Sequence, residues 1–388
     1  MMENKRLPRV LMIYRVMIPS LLLCGHSQME YLRDEGVVEY RCVQEQLLSE
    51  LDLHWADVVL LGRLDSWFEL RLAQDLHRNG RYLAYIIDDD LLHVPAEMTS
   101  APYYGLPAIK RQISAIIDES DALISPSPLL LQRYGAGKSG FLLEEPALAQ
   151  AEFTAHAADA PITIGFAGSL DRMQDAESIL RDVLPRIQSE YGQRVRFAFF
   201  GAVPQFAQAL HAQALPFEPS YEAYLKQLCA CGWDIGLGPM PTSDFHACKH
   251  YIKFTEYAAA GMAGIFSDVP PYDRLRAMNA PARLCDNTAE AWYTAIKGWL
   301  DDPAALEEAR REAYAYAKQH FTCTSTAQGL LPLLEEAQSV LATRLQRRRK
   351  YHLGRDKVLN LVHHGVNYVR MYGWQSPKKL AQRLTRRK

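Results

Sequence analysis

No stretch of this 388-residue sequence approaches the ~20 consecutive apolar residues that a membrane-spanning helix requires. The longest candidate, residues 16–24, is short and is interrupted by Pro19. Lys5 and Arg6 are followed by no long apolar core before Arg15, so a secretory signal is not expected there. Cysteine is scarce: seven residues, at positions 24, 42, 229, 231, 248, 285 and 323, odd in number and scattered. That distribution argues against a disulfide framework and fits a reducing cytoplasm. Cys229 and Cys231 form a Cys-x-Cys pair with no second pair at zinc-binding spacing, which favours ordinary buried thiols over a metal site.

A net charge of one sign is missing too, the formal total being −2. The near-balance conceals a split. Residues 344–388 hold 14 Lys/Arg against one acid, Asp356, a surplus of +13. The rest of the chain sets 29 bases against 44 acids, or −15. The tail must therefore serve a purpose different from that of the body. With 48% hydrophobic and 23% charged residues the composition is ordinary and globular. The length exceeds one typical core and predicts two domains.

Short apolar runs alternate with longer helical segments, the pattern of an α/β protein with parallel sheets. Strands are expected at 9–14, 37–43, 56–61, 82–87 and 122–125, each rich in β-branched or aromatic residues. Helices are expected at 65–79 and 107–120, and another opens at a Ser27/Glu30 capping box and closes at Gly36. Residues 147–161, alanine-rich and without a clear period, read as a linker. A second set of strands follows at 162–167, 195–200, 233–237, 264–267 and 282–285. Helices at 175–190, 219–230, 249–260, 288–300 and 303–320 separate them, the last entered through Asp302-Pro303. The two halves show no sequence repeat. A further helix is expected over 325–345, packing back on the first domain.

Two motifs carry chemistry. ITIGFAGSLDRMQD, residues 162–175, is a strand ending in Gly165-x-x-Gly168-Ser169. Gly168 lets a ligand approach the backbone and Ser169 can donate to a phosphate; a plain strand-to-helix turn would look the same. The second motif spans 234–272, where a strand runs into a Gly-Pro-x-Pro loop and then KHYIKFTEYAAAG, residues 249–261. On one helix Lys249, Lys253 and Glu256 would share a face, with Gly261 as the C-cap. Ile252, Phe254, Tyr257 and three alanines around them suit a packed helix, so the charged stripe needs a reason. A surface ion pair worth a few tenths of a kcal/mol is the bland one. An anionic ligand at the carboxyl ends of the strands, beside a helix N-terminus, is the other.

In order and spacing, residues 162–272 resemble the nucleotide-binding domain of GT-B-fold glycosyltransferases of the retaining, glycogen-synthase-like kind (glycosyl transferases group 1). RYLAYIIDDDLLHVP (81–95) resembles an Ile-Asp-Asp-Asp element of a bacterial subgroup, and DALISPSPLLLQRYG (121–135) adds to the likeness, which covers roughly 9–320. The resemblance implies two Rossmann-like α/β domains facing a cleft. Residues 1–150 would form the acceptor side and 151–325 the nucleotide-sugar side, with 326–388 a crossover helix and a basic amphipathic tail. It implies transfer of a hexosyl or deoxyhexosyl unit from a nucleoside-diphosphate sugar to a glycan or lipid-linked acceptor, with retention, in surface polysaccharide or glycoconjugate synthesis. Gly168, Ser169, Lys249 and Lys253 would lie near the diphosphate and Glu256 near the ribose, with Tyr257, Pro239 and His246 as further donor contacts. No metal and no cofactor beyond the sugar nucleotide is implied, because fixed cations neutralise the leaving diphosphate.

The match has departures. Many relatives carry a glutamate eight residues before the one matching Glu256; Cys248 stands there, which puts sugar-ring recognition in question. The glycine-rich loop after the first strand is replaced by Ile18, Pro19 and Ser20. Asp88, Asp89 and Asp90 admit three readings: a strand end facing the cleft with one carboxylate, Asp88 and Asp90 being the catalytic candidates, orienting an acceptor hydroxyl; a loop cap or structural hydrogen-bonder; or the metal-binding Asp-x-Asp of the GT-A architecture. His26, His246 and His250 are either structural or in touch with substrate. Rival functions are a sugar-nucleotide epimerase or hydrolase on the same fold and a degenerate, non-catalytic transferase that tethers a complex.

Within the tail, Val358, Val362, Val366 and Val369 recur at helical spacing beside Lys357 and Arg370. Ser376-Pro377 starts another helix toward Leu380 and Leu384, and Tyr368, Tyr372 and Trp374 add aromatics. Attachment to an anionic membrane surface, a protein contact or plain solvated helix, and nucleic-acid binding are all open, the last least favoured because the body is acidic. The expected location is the cytoplasm, peripheral on the inner face of the plasma membrane.

Overall fold

A computed structural model describes residues 6–157 and 159–372, apart from the side chains of Asp175 and Tyr372. The expectations for Trp374, Ser376-Pro377, Leu380 and Leu384 lie outside the described residues. Among those described, twelve strands form two six-stranded sheets. The first contains β1 (Arg9–Tyr14), β2 (Glu39–Gln44), β3 (Val58–Gly62), β4 (Tyr82–Ile86), β5 (Ala122–Ser125) and β6 (Ser139–Leu142), in the order β2-β1-β3-β4-β5-β6. The second contains β7 (Ile162–Gly168), β8 (Val195–Gly201), β9 (Gln213–Leu215), β10 (Ile235–Gly238), β11 (Ala263–Ser267) and β12 (Arg283–Cys285), in the order β12-β11-β10-β7-β8-β9. Every pairing is parallel. The chain thus has the expected α/β class and GT-B-type doubly Rossmann-like architecture. Strands β3, β4 and β10 are buried at every residue, as central parallel strands covered by helices on both faces must be.

The chain divides into two compact units, Met1–Leu143 with Gly329–Lys388, and Glu144–Gln328. In the first, the helix Trp67–Arg78 starts at a capping box in which Ser66 and Glu69 satisfy each other's backbone N–H groups. A second box joins Ser49 and Asp52. The box expected at Ser27 is not formed. His26 already has helical φ and ψ, and the chain from Pro19 to His26 is a kinked helical passage, so Ser27 never becomes the first free donor's partner. The Gly36 ending is as expected: φ is +70°, Gly36 N–H donates to Arg33 O at 2.9 Å and Val37 N–H to Leu32 O at 2.8 Å, a Schellman turn.

The segment from Gly329 onward is tied to the first unit. Tyr82 OH donates to Glu336 Oε1 at 2.7 Å, and Arg344 clasps Asp121 with two nitrogens at 2.9 and 2.6 Å. The helix Leu353–Tyr372 lies on the 67–78 helix, with Phe68 N–H donating to Asn360 Oδ1 at 3.3 Å and His363 stacked on Trp67 at 4.9 Å.

In the second unit, glycines on three strands let rings lie flat on the sheet. A Cβ at Gly165 would overlap the Trp233 ring, and one at Gly236 the Tyr257 ring. Both rings are fully enclosed. The helix Pro303–His320 matches expectation, its N-cap Asp302 accepting from Ala305 N–H at 3.0 Å with proline in the first turn.

Candidate functional site

The carboxyl ends of β7, β10 and β11 carry most of the second unit's candidates. Strand β7 ends at Gly168, and Ser169 is the N-cap of the 22-residue helix Leu170–Tyr191, five residues longer at its start than the sequence reading. A Cβ on Gly168 would stand 3.0 Å from Arg172 and Phe166 side-chain atoms, so a larger residue would press on this tight entry. The Ser169 side chain makes no capping hydrogen bond to that helix. Arg172, in the first turn, points its Nη1 to Met240 Sδ at 2.8 Å. Pro239 and Met240 follow β10 and are buried; Ser267, at the end of β11, accepts from Met240 N–H at 2.8 Å and donates to Asn287 at 2.5 Å, while Asn287 donates to Met240 O at 2.7 Å. The loop after β10 is thereby fixed at both backbone groups of Met240.

The charged helix runs Ile252–Ala259, with Tyr251 as N-cap. The expected start at residue 249 is too early. Lys249 closes a turn onto His246 O at 3.0 Å and lies over the Phe245 ring at 4.5 Å, half-buried, two residues before the N-cap. Lys253 and Glu256 do share a face. Lys253 Nζ is 2.6 Å from Glu256 Oε2 and 2.9 Å from Tyr224 OH. Tyr224 OH donates to Glu256 Oε2 at 2.8 Å and Tyr221 OH to Oε1 at 2.9 Å. Burial, then the Glu256 charge, pushes both phenols well above their ordinary range, so they remain donors. The Glu256 side chain is 5% exposed and that of Lys253 14%.

Tyr257 is fully buried. Its hydroxyl accepts from Ala167 N–H at 3.0 Å and donates to Leu237 O at 3.1 Å, holding the ends of β7 and β10 together. His246 is buried with Nδ1 2.7 Å from Ser243 Oγ, and Cys248 is buried beside it. Gly261 ends the helix at φ +78°, with Gly261 N–H on Ala258 O and Met262 N–H on Tyr257 O.

His250 stands among carboxylates. Its Nε2 is 3.1 Å from Glu144 and its Nδ1 3.0 Å from Glu145. The ring thus lies between two carboxylates, with only Nε2 in hydrogen-bonding geometry. Burial alone would lower its pKa, but Glu145 and Glu144 outweigh it and raise the value to about 9. Burial likewise opposes ionisation of Glu144, yet His250, then Arg274 at 2.7 Å and the Tyr251 hydroxyl, bring it down to about 2.

In the first unit the aspartates after β4 are engaged internally. Asp88 pairs with Arg63 at 2.7 Å, with Asp89 3.7 Å from the same guanidinium. Asp90, fully buried, is held by Arg133, by the Tyr134 hydroxyl and by His93 at 3.0 Å. His26 Nδ1 sits 2.9 Å from Tyr40 OH. Among the described residues no group of three or more His, Cys, Asp or Glu side chains is placed to hold a metal ion.

Sequence reasoning missed Arg172, Tyr221, Tyr224 and Asn287. The tyrosines had a signal: Ser220-Tyr221-x-x-Tyr224 is an N-cap followed by two rings three residues apart, hence on one helix face. It also missed the Arg15 cluster just past β1, where one guanidinium meets Asp65 and Glu69 at 2.7 Å and Glu45 at 3.5 Å. Burial, with the adjacent Glu69, pushes Glu45 up to about 9. A cavity of about 710 Å³ lined by Thr163, Val195 and Asp234 lies at the opposite, amino-terminal edge of the second sheet, away from these groups.

No protein-family profile matches the chain, and no curated protein sequence matches it. Its fold is nevertheless shared with solved structures. An alpha-glucosyltransferase in complex with UDP and a 13-mer DNA superposes with a TM-score of 0.60 at 10% identity, over 85% of this chain and 100% of that one. Anabaena HepE in complex with UDP and glucose gives 0.55 at 12% identity, over 85% and 100%. A Listeria monocytogenes protein assigned as a UDP-N-acetylglucosamine 2-epimerase gives 0.52 at 11% identity, over 86% and 97%. At these identities the likeness establishes the fold.

Proposed function

We propose that this chain is a glycosyltransferase that moves a hexosyl or deoxyhexosyl unit from a nucleoside-diphosphate sugar to a glycan or lipid-linked acceptor. The observation that carries the proposal is Lys253. It is a cation in the first turn of a helix, where the dipole disfavours positive charge, and it is only 14% exposed. Its ion pair with Glu256 offsets part of that cost, and a bound anion would offset more. Neighbours of the same fold hold UDP.

In this reading Lys253 and Lys249 face the diphosphate and neutralise the charge that builds on it as the glycosidic bond breaks, the preorganised electrostatic role that dominates such reactions. Arg172 and the first-turn amides after Ser169 add to the same field. Glu256 takes the ribose hydroxyls, its carboxylate aimed by Tyr221 and Tyr224. Pro239 and His246 shape the loop beside the ligand, and Tyr257 acts through the two strand ends it ties. With fixed cations in place the transfer needs no metal and proceeds with retention, by same-face attack without a protein nucleophile. Asp88 and Asp90 serve the acceptor side by holding Arg63 and Arg133. A lipid-linked acceptor would place the enzyme at the inner face of a plasma membrane, in surface polysaccharide or glycoconjugate synthesis.

The test is calorimetry with a panel of UDP-, GDP- and dTDP-sugars. At least one must bind, and Lys253→Ala and Glu256→Ala must weaken it; no binding by the wild type would falsify the assignment. An epimerase is the second reading, motivated by the neighbour assigned to that activity. Incubation of the donor without acceptor separates them, since only an epimerase converts it alone.

A further inference from the structure

The helix Leu353–Tyr372 is inside out. The side facing its own unit carries Asp356, Asn360 and Asn367, which are 3%, 7% and 6% exposed. The side facing away carries Val358, Leu361, Val362, Val366 and Val369, with exposures from 44% to 70%. Positions 358, 362, 366 and 369 are spaced four, four and three apart, one continuous stripe. An amphipathic helix on a soluble body turns its apolar stripe inward; this one turns it to solvent, and something must cover it.

The surroundings say what. Val362 and Val366 form one bank of a groove of about 870 Å³ whose other bank is the helix Pro107–Glu119. Ala108, Ala115, Lys110, Arg111 and Arg370 also line it. Arg355 projects beside the stripe, 61% exposed, and residues 344–388 carry 14 Lys/Arg against one acid. A second copy of the chain would bring +13 against +13. A nucleic acid would satisfy the cations and leave the valines wet. A bilayer with anionic headgroups satisfies both at one depth, apolar residues into the acyl boundary and cations at the phosphates.

We infer that the outward face of this helix, with the groove beside it, is a docking surface for an anionic lipid bilayer. The inference rests on the tail and its packing alone and holds whether or not the chain transfers sugar.

The experiment is co-sedimentation of the full chain with vesicles of phosphatidylcholine alone and of phosphatidylcholine mixed with phosphatidylglycerol, without any sugar nucleotide. The wild type is expected to pellet with the anionic vesicles, remain in solution with the zwitterionic ones, and release as salt rises. The double variant Val362→Asp/Val366→Asp, at exposed positions, should lose at least about tenfold in partition and Arg348→Glu/Arg349→Glu a similar factor, while thermal unfolding of both stays at the wild-type midpoint. The two pairs separate apolar insertion from charge, and the second stands in should the first unfold. Three results overturn the proposal: no pelleting of the wild type with anionic vesicles, pelleting of both variants equal to wild type, or a concentration-dependent dimer that Val362→Asp/Val366→Asp abolishes.

Discussion

Lys253 reaches one turn forward along its own helix to place its ammonium 2.6 Å from the Glu256 carboxylate, while two tyrosines from the helix Tyr221–Ala230 close on the same carboxylate. Four side chains from two helices thus form one hydrogen-bonded unit, and changing any of them alters the other three. Lys253→Ala should therefore raise the donor's dissociation constant by at least about tenfold, ~1.4 kcal/mol. Tyr224→Phe, which removes a donor to Glu256 and an acceptor from Lys253, should destabilise the fold by about 1–2 kcal/mol in urea titrations. Unchanged midpoints and affinities would show the cluster to be incidental.

The His250 contacts make stability pH-dependent. The folded-state pKa of about 9 lies above the ordinary 6.5, so the imidazolium's contribution is fully present below about 6.5 and is lost as the pH climbs through about 9. Glu144 works in the opposite sense: held down to about 2, its contribution is present above the ordinary carboxylate range and fades as the pH falls toward that value. His250→Asn should cost about 3–5 kcal/mol at pH near 6 and much less above pH about 9. Unfolding midpoints for wild type and variant across that range check the sign; parallel curves contradict it.

Gly236→Ala should destabilise by about 1–3 kcal/mol, because the new methyl would occupy the Tyr257 ring's place. Since Tyr257 ties Ala167 to Leu237, donor affinity should fall along with stability. A variant with normal affinity and a normal denaturation midpoint would show that the ring has room to move.

Activity is expected to survive EDTA. Asp88 and Asp90 are already paired with Arg63 and Arg133, and in the proposed reaction Lys249 and Lys253 would supply the positive charge. Loss of turnover on chelation, restored by Mg²⁺ or Mn²⁺, is the result that would return the aspartate triplet to a metal-binding role.

Most of the architecture was readable because buried parallel strands leave continuous apolar runs, as in Val58–Gly62. Strands β6 and β9 were not, being four and three residues long and only partly buried at the sheet edges. Lys253 and Glu256 were legible from spacing, since both lie inside one helix. Lys249 was assigned to that helix because its residues continue the period, yet Tyr251 takes ψ +31° and starts the helix later. Tyr221 and Tyr224 converge on Glu256 from another helix, a tertiary fact that periodicity does not carry. The valine stripe was read correctly in period, but the sequence holds no statement of which side a tail helix turns to its host.

The contacts of Arg344 with Asp121 and of Glu336 with Tyr82 have a consequence for biosynthesis. On the ribosome, the segment through Leu143 emerges before residues 329–344 and lacks these partners until Glu336 and Arg344 have been synthesised. The intervening segment, Glu144–Gln328, is contiguous and can mature in the meantime. Order of emergence and order of completion are therefore reversed, and a nascent product stalled before residue 336 would display a finished second sheet attached to an unsealed first one.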